Sequence, residues 1–368
     1  MNTADYIVKC LAGEGVKRIF GYPGIGNQAF LDSIYKYSDT EFILVRHEQV
    51  AVLMADAYAR ITKSPAVCTA TYGGGATNLV NGIAQAYMER SPVIAIAGER
   101  PPSRKPEDAQ RDIDQASIFR PITKLAISIK DPTQVAGTIK TAFHVASTDP
   151  VGPVYIGLPT DVATMQLEQD VDSLEMVDRE PDQGSPLWPN ALRSADVMRE
   201  LSHLMPSDAI VTVDVGDIML YTRKFLEKKD RKFISTGRFY SMGFALPAAM
   251  AAKIAQPDAS VYAITGDGGL AMVVHDLETA VRENLKITVI VLNNSCLSMI
   301  RRRQIDNYDG HIFAVNLCDN DFVKVAQGFC ADGQRVTSVD ELKDGMKNAS
   351  RSELPYVLDI VVGCDDTI

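Results

Sequence analysis

Gly266-Asp267-Gly268 closes the apolar run 260–265, and Asn293-Asn294 closes a second apolar run, 287–292, with a helical stretch between them. That order places Asp267 and Asn294 at the carboxyl ends of neighbouring strands. Mg²⁺ takes an octahedron of oxygens and commonly divides it between protein and phosphate. Asp267 offers a carboxylate, Asn294 an amide oxygen and Cys296 a main-chain carbonyl. Gly266, Gly268 and Gly269 let the backbone approach phosphates, and amides at the following helix start favour anions. The chemistry expected is retention of a divalent cation and a diphosphate. Taken singly, Gly-Asp-Gly also fits a surface turn and Asn-Asn a strand end.

A second cluster, Arg46-His47-Glu48-Gln49, ends a strand and opens a helix. Glu48 alone also reads as a cap facing the helix dipole. His47 reads as orienting that turn. Two glycine-rich turns follow strands nearby, Gly21-Tyr22-Pro23-Gly24-Ile25-Gly26 and Gly73-Gly74-Gly75. Their residues Ile25, Gly26, Gly73 and Gly74 are candidates for a substrate pocket. Neither turn has the G-x-G-x-x-G spacing of a dinucleotide site. His275 and His311 are candidate proton donors that the sequence does not separate. Cys296 reads as a carbonyl donor rather than a nucleophile.

The elements that must position these residues alternate between strand and helix. Strands are expected at 18–20, 41–44, 66–71, 93–97 and 154–158, with helices at 49–60 and 78–88. A further set is expected at 209–213, 232–235, 261–265, 287–292 and 356–362. Alternation of this kind implies α/β architecture, with two mainly parallel sheets flanked by helices. Residues 166–189 are acidic and proline-bearing, as in an exposed linker, which divides the chain into domains at 1–165 and 190–368. The composition over 368 residues, 46% apolar and 23% charged, is that of a globular protein. A net charge of −10 argues against nucleic acid as a partner. No apolar stretch is long enough for a membrane span, and the N-terminus lacks a secretory pattern. Six scattered cysteines without CxxC pairs argue against zinc and disulfides and suggest a reducing cytoplasm.

These motifs carry a family resemblance. Gly21-Tyr-Pro-Gly24, Arg46-His-Glu-Gln49, Gly75-Ala-Thr-Asn78 and Arg120-Pro-Ile-Thr-Lys124 resemble the pyrimidine-binding domain of thiamine-diphosphate enzymes. Ser241-Met-Gly-Phe-Ala-Leu-Pro247, Gly266-Asp-Gly268 and Asn293-Asn294 resemble their diphosphate-binding domain, with wording nearest acetolactate synthase. The resemblance implies thiamine diphosphate and Mg²⁺ as cofactors. It implies that Glu48 hydrogen-bonds the aminopyrimidine and starts its proton relay. Met242 would support the bent cofactor, and the Tyr240 carbonyl would bond its amino group. Asp267, Asn294 and the Cys296 carbonyl would hold the cation. It also implies a homodimer or homotetramer with active sites shared between subunits.

The chain departs from acetolactate synthase in several places. The short linker leaves no room for the middle domain that helps bind FAD, which argues against FAD and resembles the layout of phosphonopyruvate and sulfopyruvate decarboxylases. Ile25 stands where a glycine is usual, and Gln110-Arg111-Asp112 replaces Phe-Gln-Glu. Ser298-Met299 replaces Gly-Met, and Arg303 replaces a tryptophan. The run Arg301-Arg302-Arg303 also reads as a solvated helix face. In the sharper reading, Arg111 and Arg303 turn positive charge towards the substrate, as suits a second anionic group. The expectation is non-oxidative decarboxylation of a 2-oxo acid, probed by pocket residues Ile25, Gly26, Gly73, Gly74, Arg111, Met299 and Arg303. The alternatives are a carboligase that joins the decarboxylated donor to a second carbonyl compound, and an inactive binding subunit.

Overall fold

The computed structural model describes residues 1–37, 40–101, 113–167, 191–235 and 240–364. Arg111 and nearly all of the expected linker lie outside the described residues. The chain divides into two compact units. One comprises Met1–Asp182 and Arg303–Ala314, the other Gln183–Arg302 and Val315–Ile368.

The first unit is built on six strands: β1 (Arg18–Gly21), β2 (Glu41–Leu44), β3 (Ala66–Ala70), β4 (Val93–Glu99), β5 (Leu125–Ser128) and β6 (Val154–Pro159). All pair in parallel, in the order β2-β1-β3-β4-β6-β5. The central strands β3 and β6 are buried along their whole length, which explains their continuous apolar wording. Helices Thr3–Gly13, Gln28–Tyr37 and Val135–Ser147 bury Ile7, Leu11, Leu31, Ile34, Ile139 and Phe143 in one core with strand residues such as Ile94 and Ile156. Each such side chain contributes about 1.5–3 kcal/mol by leaving water. The first of these helices starts at a reciprocal cap, with Asn2 and Asp5 each accepting the other's amide at 2.9 Å.

The second unit repeats the plan with β7 (Ile210–Val213), β8 (Lys232–Ser235), β9 (Val261–Gly266), β10 (Thr288–Asn293), β11 (Asp332–Val336) and β12 (Tyr356–Val361). Their order is β11-β12-β10-β9-β7-β8, again all parallel. One core on this sheet gathers Met198, Leu201, Ile264, Ile290 and Leu358. A second core gathers Leu246, Ala249, Ala263, Leu277, Val289 and Val357. The described residues form two sheet-based units and no third.

The sequence reading did not foresee β5 or β11. Both are edge strands; β5 is a short Leu-Ala-Ile-Ser segment that is half-buried throughout, and β11 is mostly polar. Asp332-Gly333-Gln334-Arg335-Val336 buries only its last residue fully. An edge strand has one neighbour and needs less apolar surface, so its periodicity is weak.

Candidate active site

In a parallel α/β sheet, ligands bind beyond the carboxyl ends of the strands, where the strand order reverses. In the first unit that point lies between β1 and β3, which run to β2 on one side and β4 on the other. The loops leaving β1 and β3 meet there around Thr71. Its hydroxyl accepts the Gly26 amide at 2.9 Å. A Cβ on Gly24, Gly26 or Gly75 would stand within 3 Å of Thr71 atoms, so these glycines are required by close packing. Asn27 ties the loop to itself, accepting the Gly24 amide at 2.8 Å and donating to the Tyr22 carbonyl at 3.1 Å. The expected residues Ile25, Gly26, Gly73 and Gly74 therefore lie in the short turns that follow β1 and β3 at this reversal.

Glu48 opens the helix Glu48–Thr62, which follows β2; His47 caps it, its Nδ1 accepting the Gln49 amide at 3.1 Å. Glu48 is 3% exposed. Its Oε2 accepts from Asn78 Nδ2 at 2.8 Å. A Cβ on Gly75 would lie 3.0 Å from Oε1, so the glycine turn packs against the carboxyl group. Burial pushes the carboxyl up to about 7, against the opposing pull of the Asn78 amide and the backbone. A cap needs only an ionised, solvated carboxylate, whereas this one is buried and titrates near neutrality. Two residues earlier in the chain, the Nε and Nη2 atoms of Arg46 are buried without a hydrogen-bond partner among the described residues.

The second unit has its own reversal, between β7 and β9. The sequence reading missed its organising group, Asp214, at the end of β7. This buried carboxylate accepts the Val215 amide at 2.8 Å, the Gly243 amide at 3.0 Å and the Thr265 hydroxyl at 3.0 Å. Burial pushes its carboxyl above the usual range while these donors favour the charged form. The anchored turn includes Tyr240, at φ +59°, and Gly243, at φ +78°, with Met242 half-buried between them. Asp214 also accounts for Gly269, where a Cβ would stand 2.8 Å from Oδ2. The signal was the acidic residue closing the run Ile210–Val213.

Asp267 begins the helix Asp267–Ala271 after β9, is buried, and accepts the Gly268 amide at 2.7 Å. A Cβ on Gly266 would meet nothing within 4 Å, so the strand ends in open space. The asparagine pair splits by strand alternation. Asn293 turns inward, its Nδ2 donating to Asp359 Oδ1 and the Asn320 carbonyl, both at 2.9 Å. Asn294 forms the loop, accepting the Cys296 amide at 3.2 Å and donating to Ser298 at 2.8 Å. Leu297 and Leu317 amides pin this loop to 315–317. The Cys296 thiol hydrogen-bonds Cys364; this and burial hold it protonated near neutrality, so it is no nucleophile.

Among the described residues, no group of three or more His, Cys, Asp or Glu side chains is arranged to hold a metal ion. A cation on this unit would thus use carboxylate, amide and carbonyl oxygens and take the rest from its ligand. The donor set of Asp267, Asn294 and Cys296 fits Mg²⁺ in that way.

The remaining expected residues fall elsewhere. Met299 is half-buried at the start of the helix Ser298–Asn307. The arginine run is not one solvated face. Arg301 is buried, Arg302 pairs with Asp217 at 3.0 Å, and Arg303 is exposed. His275 is exposed beside Asp276. His311 is bound to Asp32 at 2.8 Å and rests on the Tyr35 ring, with centroids 4.9 Å apart.

Residues 1–118 match the family described as thiamine pyrophosphate enzyme, N-terminal TPP binding domain, and residues 214–360 match its C-terminal TPP binding domain. The chain is similar to a probable acetolactate synthase large subunit of Methanocaldococcus jannaschii. The two are 27% identical over 545 positions, spanning 98% of this chain and 92% of the relative. It is 24% identical to the acetolactate synthase isozyme 2 large subunit of Escherichia coli, over 98% of this chain and 96% of that one. An acetolactate synthase of Bacillus subtilis is 23% identical, over 99% and 94% respectively. Aligned spans of 525 to 545 positions exceed the 368 residues of this chain, so a long stretch of each relative has no counterpart here.

Proposed function

This chain belongs to the thiamine pyrophosphate enzyme family, and from that premise we propose that it is a thiamine-diphosphate- and Mg²⁺-dependent enzyme that removes carbon dioxide from a 2-oxo acid. The observation that carries the reading is Glu48, a buried carboxyl held by Asn78 with its titration pushed up to about 7. Such a group both holds and releases a proton near neutral pH, which is what acid–base work requires. When bound, thiamine diphosphate supplies the electron sink for cleaving the carbon–carbon bond. Asp267, Asn294 and the Cys296 carbonyl would hold Mg²⁺, and the glycines at 266, 268 and 269 would admit the diphosphate. The turn anchored by Asp214 would seat the ring through Tyr240 and Met242. The Arg46 nitrogens that have no hydrogen-bond partner among the described residues support an anionic ligand in the first unit.

Release of the product as an aldehyde is the first reading, supported by the departures at Ile25, Ser298 and Arg303 from the acetolactate synthase wording. Transfer to a second carbonyl compound is the second, favoured by the relatives, which are named acetolactate synthases. Incubation with pyruvate and with anionic 2-oxo acids, plus both cofactors, separates them. An aldehyde alone supports the first, and a hydroxyketone supports the second. Absence of carbon dioxide from every 2-oxo acid tried would sink both.

The assembly proposed is a homodimer or a dimer of dimers, with each active site drawing on two copies. The helix that buries Glu48 turns Val50, Leu53, Met54 and Ile61 to solvent. These positions follow helical spacing and make an apolar stripe suited to a second copy. Light scattering of the Leu53→Glu variant should give a smaller particle than the parent; equal masses would remove this face from the interface.

A further inference from the structure

Gln115 stands outside every motif read from the sequence, yet it is buried at the start of the helix Gln115–Phe119 and makes three hydrogen bonds. Its Oε1 accepts the Gly73 amide at 2.8 Å. Its Nε2 donates to the Gly98 carbonyl at 2.9 Å and to the Tyr155 hydroxyl at 2.8 Å. These partners fix which way the amide faces. Turned over, its NH₂ would confront the Gly73 N–H and its oxygen the Gly98 carbonyl. Tyr155 is held in turn, stacked on Phe119 with centroids 4.2 Å apart and donating to Glu99 Oε1 at 3.2 Å. Ser128 holds the other Glu99 oxygen. Gly157 leaves the space this carboxyl occupies, since a Cβ there would stand 1.9 Å from Oε1.

What Gln115 grips has no side chain of its own. Gly73, at φ +70°, caps the single helical turn Gly74–Asn78. Glycine backbone is the costliest to order. At one end of the turn Gln115 binds the Gly73 amide; at the other Asn78 donates to Glu48. We propose that Gln115 is a positioning residue, which holds the Gly73 amide and so fixes, through the turn and Asn78, the carboxyl group of Glu48. The contact chain stands on its own; its catalytic meaning rests on the decarboxylase reading of Glu48.

The test reads Glu48 itself. In cofactor-free protein carrying ¹³C at the glutamate carboxyl carbons, NMR follows its titration, the signal being assigned by its loss in Glu48→Gln. Among the described residues, burial, the Asn78 amide and the backbone act on this titration, and no charged side chain does. Gln115→Met should loosen the turn, weaken the Asn78 bond and raise the titration by about half to one pH unit, as loss of one hydrogen bond implies. In an Asn78→Ala background the same change should add nothing, because the two act in series. An unchanged titration in folded Gln115→Met, or an equal rise in both backgrounds, overturns the proposal. If Gln115→Met does not fold, hydrogen exchange at the Gly73 amide of the unaltered protein decides. Strong protection supports the grip, and exchange at the rate of an open loop overturns it. None of these readouts needs turnover, so a positive result in a protein that releases no carbon dioxide would sink the decarboxylase reading and leave this one.

Discussion

Read from corresponding edges, the first sheet runs β2-β1-β3-β4-β6-β5 and the second β8-β7-β9-β10-β12-β11. Strand for strand the order is the same, and both reverse between their first and third strands. The loops at the reversal nevertheless carry opposite chemistry. After β1 and β3 the first unit sets glycines and Thr71, with Glu48 arriving from β2 as a buried carboxyl of raised titration. After β7 and β9 the second unit sets two acids, Asp214 and Asp267, with Asn294 beyond β10. Under the proposed function, one topology would thus support a site for moving a proton and a site for holding a cation. Fold alone assigns neither; the residues at the strand ends do.

The largest test of that contrast is to damage each unit separately. Glu48→Gln should lower turnover by about 100-fold or more while calorimetric binding of thiamine diphosphate with Mg²⁺ persists. Asp267→Ala should abolish Mg²⁺-dependent binding itself. If both variants lose binding alike, the division of labour is wrong.

A second test uses pH and cofactor-free protein. The Glu48 carboxyl has an ordinary value of 4.5 and a folded value of about 7. Between those values the folded chain keeps a proton that the unfolded chain has released, so stability falls as pH rises through the window. Above about 7 the loss is complete. Gln at position 48 cannot ionise, so Glu48→Gln should match the parent near pH 4.5 and exceed it by at most about 3 kcal/mol at pH 8. Denaturant unfolding at the two pH values measures this, and a constant difference would mean that Glu48 is not desolvated.

The smallest test divides the asparagine pair. Asn293 ties β10 to Asp359 of β12, so Asn293→Ala should cost about 1–3 kcal/mol of stability by orphaning buried partners. Asn294→Ala should leave stability within about 1 kcal/mol, since its bonds close only a loop, and should instead weaken Mg²⁺ binding. Reversed roles would show that the first asparagine faces the cation.

Much of this was legible in the residue order. Strands buried on both faces, such as Val154–Pro159 and Thr288–Asn293, announce themselves as apolar runs. The motifs Arg46–Gln49, Gly73–Asn78 and Gly266–Gly268 stand where other strands end. Strands β5 and β11 were not legible, because β5 is only four residues long and half-buried throughout and β11 is mostly polar, whereas the edge strands β2 and β8 were read from their apolar pairs. Nor were Asp214 and Gln115, whose importance lies in partners 29 to 51 and 17 to 42 positions away.

The sequence by itself therefore determined the family, the parallel α/β architecture and the residues at the strand ends, because burial and ligand chemistry leave local patterns. Tertiary structure alone decided that the two sheets share one topology and that Arg303–Ala314 packs with the first unit. It also decided that Glu48 is buried enough to titrate near neutrality. Those facts depend on desolvation and on hydrogen bonds between residues far apart in the chain, and no local pattern encodes either.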